Sequence, residues 1–149
     1  MPSAHAALEI FDADVKQVWN VVTDFPNYPS VMPDVLEVTV RRQDHALAFS
    51  TWRTLLDGIE MTWEERDVFE PYRRIVFEQT EGDLQEFRGH WLLTETPAGV
   101  LIELTVHFDL GIPSLAPVLD PLGVHAIESN SRRMLAGLQR LCGALERAS

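Results

Sequence analysis

The stretch VLIELTVHFDL, residues 100–110, alternates apolar and polar side chains along its length. Its apolar positions are Ile102, Leu104, Val106 and Phe108, and its polar positions are Glu103, Thr105, His107 and Asp109. A period of two residues is typical of a β-strand with one dry and one wet face, as in antiparallel sheets that are covered on one side. The stretch therefore predicts a sheet whose dry face needs a covering layer.

The same period of two extends upstream to Leu36, interrupted by turn signals at 43–45, 57–58, 70–71, 81–83 and 97–99. It predicts strands over 36–42, 46–55, 59–69, 73–80, 84–95 and 100–110. Short turns join antiparallel neighbours. Together with a first strand over 6–11, the sheet is expected to have seven strands.

Two short helices are expected after the first strand. Asp12 can cap a helix, and apolar residues then follow helical spacing at Val15, Val18, Trp19, Val22 and Phe25. This helix should end before Pro26. The prolines of FPNYPSVMPDV leave room only for a second short turn, between Ser30 and Met32.

The chain beyond residue 110 predicts one long helix. Its apolar stripe consists of Leu122, Ile127, Met134, Leu138, Leu141 and Leu145. The helix is expected to kink near Pro121 and Gly123 and to cover the dry face of the sheet. The result is an α+β fold in a single domain over 1–149.

Composition restricts the classes of function. The net charge of −11 repels phosphate backbones and anionic membranes, so nucleic acid is not expected as a partner. A single cysteine, no signal peptide at the N-terminus and no bilayer-spanning apolar stretch favour a cytoplasmic protein without a transmembrane segment. The histidines and the cysteine show no metal-ligand spacing and no nucleotide fingerprint is present, so neither metal nor cofactor is expected.

A glycine stands on the apolar face of the strand predicted over 84–95, in QEFRGHWLL at 85–93. Gly89 lies between Phe87 and Trp91, where a valine would pack better. One interpretation is that the missing side chain lets the long helix or a ligand approach the sheet. The other is a bend or bulge in the strand.

The strand over 59–69 leaves the direction of Arg66 open. Strict alternation from Trp63 continues through Glu65 and leaves Arg66 on the other face. An extra residue at 64–65, a β-bulge, would bring Arg66 onto the face of Trp63. In either arrangement the guanidinium can reach a pocket, and the competing interpretation is a surface pair with Glu64 or another of the carboxylates on a wet face.

Three segments carry a resemblance to a known superfamily: DADVKQVWNVVTDFPNYPSVMP at 12–33, EGDLQEFRGHW at 81–91 and ESNSRRMLAGLQRL at 128–141. With the order of elements, they resemble the helix-grip superfamily of START domains and pollen allergens, in particular its polyketide cyclase/dehydrase branch of aromatase/cyclases. The resemblance implies a pocket between a curved sheet and the C-terminal helix. It also implies either aldol ring closure of a poly-β-ketone or passive binding of a lipid or isoprenoid quinone.

The resemblance also implies site residues. Arg66 matches a recurring functional arginine of the aromatase/cyclases, and it would stabilise the oxyanion of an aldol closure. Tyr28 and Trp91 match pocket aromatics, and Asn130 matches a polar pocket residue. This chain departs from the pattern at three positions that are more polar in some cyclases: Val35, Leu104 and Val106.

Three further residues, Trp63, Phe87 and Met134, suit a core and a ligand pocket equally well. His125 is a candidate general base near the pocket mouth, whereas His90 and His107 have the polar parity of their strands.

A polyketide substrate would bring an acyl carrier protein as a second partner. That acidic partner needs a basic patch, for which the candidates are Arg41, Arg42, Arg73 and Arg74. Both a monomer and a homodimer are compatible with the sequence.

Overall fold

The computed structural model of the protein describes residues 1–148, and their side chains through residue 143. The strands are β1 (Ser3–Phe11), β2 (Val35–Arg42), β3 (Leu47–Leu56), β4 (Ile59–Glu70), β5 (Arg74–Gly82), β6 (Glu86–Thr96) and β7 (Gly99–Asp109). The helices are α1 (Val15–Val22), two 3₁₀ helices (Phe25–Ser30 and Pro113–Leu115) and α2 (Ala116–Ala148). This order confirms the α+β prediction.

All seven strands form one antiparallel sheet in the order β1-β7-β6-β5-β4-β3-β2. Consecutive strands from β2 to β7 are neighbours, and β1 pairs with β7 at the far edge. The alternation predicted for β7 is confirmed, because every second residue from Val100 to Phe108 is buried. Helix α2 packs on this dry face of the curved sheet, which is the helix-grip arrangement.

The alternation of β4 continues without interruption. Trp63, Glu65 and Asp67 are buried on the inner face, whereas Arg66 is exposed on the outer face. The pairing of β4 with β3 runs in register over this whole stretch. The bulge that would turn Arg66 inward is therefore absent from β4.

A register shift does occur beside this position, but the extra residue belongs to the neighbouring strand. Glu64 pairs with Glu81 and Glu65 pairs with Gln79, so Thr80 of β5 has no counterpart on β4. An extra residue changes the parity of the strand that contains it and leaves its partner unchanged. This is why the inner face of β4 keeps its carboxylates.

Helix α1 begins later and ends earlier than its pattern predicts. Asp14 rather than Asp12 occupies the N-cap position, because Asp12 has a φ of 55° and forms the turn that leaves β1. The helix ends at Val22, and the second helical turn starts at Phe25 rather than at Ser30. Pro26 lies in the first turn of this 3₁₀ helix, where a missing N–H group is tolerated, and Pro29 lies in its second turn.

Helix α2 runs from Ala116 through Pro121 to Ala148. Its apolar stripe buries Ile127, Met134 and Leu138, whereas Leu122 is 62% exposed and lies off the stripe. Leu145 lies outside the described side chains. None of the helices in the described part of the chain is long and apolar enough to cross a membrane.

Glycines allow close approach at two places. An added Cβ at Gly123 would lie 2.8 Å from the Phe108 ring, so this residue lets α2 come close to β7. At Gly89 an added Cβ would overlap the Thr105 carbonyl oxygen and lie 2.8 Å from the Phe77 ring. The pairing of β6 with β7 shows no register shift there. Gly89 therefore makes room inside the sheet, and neither the helix, nor a ligand, nor a bulge explains it.

Candidate functional site

A cavity of about 50 Å³ lies between the inner face of the sheet and α2. Its sheet side is lined by Trp52, Thr54, Leu56, Trp63, Glu65, Phe77, Phe87, Trp91, Leu104 and Val106, and its helix side by Ile127, Asn130, Ser131 and Met134. Leu56 and Phe87 are the two lining residues with partly exposed side chains. The cavity is therefore closest to solvent beside them.

Aromatic rings form one wall of the cavity. Trp52 of β3 and Trp63 of β4 are cross-strand partners, and their rings stack in parallel with centroids 5.9 Å apart. The Phe87 ring lies 4.9 Å from that of Trp63. Such ring faces suit a planar aromatic or conjugated ligand.

Two buried carboxyl groups lie side by side on the inner face of β4. Glu65 is 4% exposed and Asp67 has no exposed surface. The indole of Trp63 donates to Glu65 Oε1 at 2.7 Å, and the Ser50 hydroxyl donates to Asp67 Oδ2 at 2.5 Å. The indole of Trp52 donates in turn to Ser50 Oγ at 2.8 Å. Both tryptophans of the cavity wall therefore also hold the carboxyl pair.

The two carboxyl groups influence each other's pKa values. Burial raises the pKa of Glu65 well above its usual range, and the adjacent Asp67 raises it further through a hydrogen bond and its charge. Burial also raises the pKa of Asp67, but the hydrogen bonds from Glu65 and Ser50 and the charge of Arg42 oppose that rise. Two carboxyl groups in contact do not both ionise readily. Because the pKa of Glu65 is raised the more strongly, Glu65 is the group that keeps its proton to the higher pH.

Unpartnered polar atoms also surround the cavity. Thr54 Oγ1 and Asn130 Nδ2 have no hydrogen-bond partner among the described residues, although the two residues are only 2% and 7% exposed. Asp67 Oδ1 likewise lacks a donor in that part of the chain unless Glu65 is protonated. A buried polar group without a partner costs about 1–3 kcal/mol. The Thr54 and Asn130 groups are thus available to a ligand.

The structure brings five of the predicted ligand-binding residues to the cavity: Trp63, Phe87, Trp91, Asn130 and Met134. Tyr28 is not among the lining residues. It is fully buried behind Trp52 and Trp91, and its hydroxyl donates to the Val22 carbonyl oxygen. Its position makes Tyr28 a core residue that supports the aromatic wall.

Arg66 does not reach the cavity. Its side chain is exposed on the outer face of the sheet, next to Glu78 on β5. Arg66 forms no ion pair with Glu64 or another carboxylate among the described residues, and Glu64 accepts from the Thr80 hydroxyl at 2.8 Å. From this position Arg66 does not contact the cavity in which the predicted oxyanion would form.

The histidine and arginine candidates also lie away from the cavity. His125 is exposed on α2, and neither His90 nor His107 lines the cavity. Of the four arginines considered for a basic patch, Arg74 pairs with Glu70 at 2.8 Å. Arg41 and Arg42 stack over the rings of Phe49 and Phe69, respectively. An acyl carrier protein as partner stays a prediction.

Sequence reasoning missed the carboxyl pair, although its signal was present. The alternation that starts at Trp63 includes Glu65 and then Asp67 once no bulge is inserted into β4. Charged residues on the buried parity of a strand are uncommon without a partner or a function. The resemblance directed attention to Arg66 instead.

The chain matches the family model described as "Polyketide cyclase / dehydrase and lipid transport" over residues 11–135. Among solved structures it is similar to TTHA0849 from Thermus thermophilus, at 23% identity over 97% of this chain and 99% of that chain, with a TM-score of 0.88. It is also similar to the Zhui aromatase/cyclase from Streptomyces sp. R1128, at 17% identity over 95% and 94%, with a TM-score of 0.80. A START superfamily protein from Mycobacterium smegmatis matches at 13% identity over 97% and 99%, with a TM-score of 0.78. At these identities the likeness is one of fold.

Proposed function

Because the chain belongs to the polyketide cyclase/dehydrase and lipid transport family, we propose that it binds an uncharged, planar, oxygenated molecule and promotes its aldol cyclisation and aromatisation. The observation that carries this proposal is the composition of the cavity wall. Stacked indoles face buried polar groups that lack partners within the described chain. The rings or conjugated carbonyls of an aromatic or polyketide-like molecule can stack on the indoles. Its oxygen atoms can form hydrogen bonds with the polar groups.

The charge of the site supports an uncharged ligand. Glu65 is the one titratable side chain that lines the cavity, and no described lysine or arginine lines it. A carboxylate or phosphate placed there would meet the negative carboxyl pair without a compensating cation, which is unfavourable in a poorly solvated site.

The chemistry needed for ring closure fits such a ligand. An aldol closure removes a proton from a carbon beside one carbonyl, joins that carbon to a second carbonyl carbon, and protonates the resulting alkoxide. Loss of one water from the product then forms a double bond, and enolisation gives an aromatic ring. The aldol closure and the dehydration require a group that takes and returns protons. The aldol closure also requires a hydrogen-bond donor for the developing oxyanion.

Heptanetrione, an unbranched chain with three alternating ketones, provides a direct assay. Its closure and loss of one water give a dihydroxytoluene, which chromatography separates from the starting chain. We expect the protein to accelerate formation of this product at least tenfold over buffer, because general acid–base catalysis alone contributes about 10²–10⁴-fold.

The variant Glu78→Gln, on the outer face of β5, is the matched control and should equal the unaltered protein. If the unaltered protein formed dihydroxytoluene no faster than buffer alone, the proposed cyclisation of this substrate class would be contradicted.

A further inference from the structure

We infer that Glu65 is the catalytic acid–base residue of this cavity and that Asp67, behind it, takes up and returns the second proton. The inference rests on the proposed function and names the group that performs its chemistry. Glu65 lines the cavity, whereas Asp67 does not. A proton can therefore enter or leave the pair only through Glu65 on the cavity side.

The hydrogen bonds orient the pair for this role. Trp63 holds one oxygen of Glu65, and Ser50 holds one oxygen of Asp67, so the remaining Asp67 Oδ1 is left for the shared proton. With a single proton the pair carries one negative charge. It can accept one further proton at Glu65 while the shared proton shifts to Asp67.

A second, independent observation indicates that a ligand completes this arrangement. The amide nitrogen of Asn130 lines the same cavity from α2, is 7% exposed as a residue and has no acceptor among the described residues. An enolate or alkoxide oxygen formed next to Glu65 would supply that acceptor. Asn130 is thereby assigned as the donor that stabilises the oxyanion.

The proton balance closes over the reaction. Glu65 takes the proton from the carbon beside the first carbonyl, and the electron pair of that C–H bond becomes the enolate. The enolate carbon bonds to the second carbonyl carbon, whose π electrons move to oxygen. Glu65 then returns a proton to this alkoxide while Asp67 returns the shared proton to Glu65. In the dehydration, Glu65 again takes a carbon-bound proton and returns one to the leaving hydroxyl, which departs as water.

Few other charged groups act on the pair. Arg42 of β2 lies near Asp67, and Tyr28 of the first 3₁₀ helix is buried near both carboxyl groups. The remaining cavity-lining residues, from β3 to β7 and α2, are not titratable. Changes of activity at pH values above the ordinary carboxylate range should therefore report the pair.

Deuterium exchange into phenylacetone tests the proton transfer without requiring ring closure. Proton NMR in D₂O follows loss of the hydrogens beside the carbonyl, and the tryptophan indole signals report binding in the same samples. We expect the unaltered protein to accelerate exchange and Glu65→Gln to lose about 10²-fold of that rate or more. Glutamine keeps the size and can still donate to Asp67, so binding of phenylacetone should change by less than about threefold.

The variant Asp67→Asn separates the two carboxyl groups. Without Asp67 to take up the shared proton, Glu65 can accept a proton only after it has ionised itself, so the pH at which the exchange rate reaches half its maximum should differ from that of the unaltered protein. Glu78→Gln, the same chemical change on the outer face, should match the unaltered protein in rate, binding and pH profile.

The outcomes distinguish this inference from the proposed function. The inference would be overturned if Glu65→Gln exchanged deuterium as fast as the unaltered protein. It would also be overturned if Asp67→Asn had the same pH profile as the unaltered protein. Either result would count even if heptanetrione is cyclised. Failure of the unaltered protein to accelerate exchange into phenylacetone would also overturn the inference, whereas failure to cyclise heptanetrione would overturn the proposed function. If Glu65→Gln fails to fold, ¹³C NMR titration of the Glu65 carboxyl carbon in the unaltered protein decides: an ordinary glutamate titration would overturn the inference.

Discussion

Glu65 and Arg66 are consecutive residues that face opposite sides of one strand. Glu65 is buried at the cavity, and Arg66 is exposed on the outer face. Which of the two side chains can contact a ligand in the cavity depends on the face of the sheet that it occupies, and not on its acid–base properties. The resemblance pointed to an arginine in this strand, whereas the alternation of the strand places the neighbouring Glu65 at the cavity.

Arg66→Ala should leave function and stability almost unchanged. An exposed side chain without an ion pair among the described residues contributes within about ±0.5 kcal/mol. We expect the same rate of dihydroxytoluene formation and the same melting temperature as the unaltered protein. A tenfold loss of rate at unchanged stability would return Arg66 to the site.

The carboxyl pair should also make stability depend on pH. The pKa values of Glu65 and Asp67 are both raised in the folded state, so the folded protein holds protons that the unfolded chain releases. The stabilisation is complete below the ordinary carboxylate range and is lost as pH rises through the raised values.

Thermal unfolding followed by circular dichroism between about pH 5 and pH 8 checks this sign. The melting temperature of the unaltered protein should fall towards the higher pH, and that of Glu65→Gln should fall less because glutamine has no proton to lose. Equal slopes for the two proteins would contradict the assignment of the proton to Glu65.

At the scale of the elements, sequence periodicity predicted most of the fold. Each of the six strands from β2 to β7 lies within about two residues of its predicted bounds, because alternation and turn residues are local signals. Two features depended on neighbours instead. The extra residue at the register shift lies at Thr80 on β5, and Gly89 accommodates Phe77 and the Thr105 carbonyl. The alternation within one strand does not show which residues of the neighbouring strands lie beside Thr80 and Gly89.

The cavity itself was less predictable than the strands around it. Sequence patterns cannot distinguish a large apolar side chain in a core from one at a cavity, and Tyr28 and Trp91 illustrate this. Both are buried aromatics whose rings are 6.4 Å apart, yet only Trp91 lines the cavity. The difference is one of position: Tyr28 belongs to the first 3₁₀ helix and packs behind Trp52 and Trp91, whereas Trp91 lies on β6 and lines the cavity.

Helix α2 limits the size of the ligand. The cavity of about 50 Å³ is smaller than the roughly 150 Å³ that accommodates a benzene ring in an engineered protein core. A bound ring therefore requires lining side chains to move. Met134 is the flexible lining residue on the helix side, because its unbranched chain changes conformation easily.

Met134→Ala should therefore bind phenylacetone more tightly while the fold loses about 2–5 kcal/mol of stability from the larger cavity. An NMR titration of the indole signals gives the affinity, and thermal unfolding gives the stability. Met61→Ala on β4, which is half-buried and does not line the cavity, is the matched control and should leave affinity unchanged. Weaker binding by Met134→Ala would mean that the ligand does not occupy this space.

At the scale of the whole molecule, the polar and charged groups at the cavity favour the cyclase proposal over the carrier. A carrier for a lipid or isoprenoid quinone needs mainly apolar area, at roughly 25 cal/mol per Å² buried. This site instead combines an aromatic wall with a carboxyl pair and two unpartnered polar side chains. Burying such groups without a ligand that uses them is unfavourable.

Native mass spectrometry of the protein purified gently from its own host tests this account most directly, with Asn130→Leu as the comparison. Leucine keeps the size of the side chain and removes the unpartnered donor. The account predicts that the unaltered protein releases an uncharged, oxygenated aromatic or polyketide fragment on denaturation, and that Asn130→Leu retains much less of it. Release of the same lipid or quinone by both proteins would contradict the cyclase account and identify a carrier.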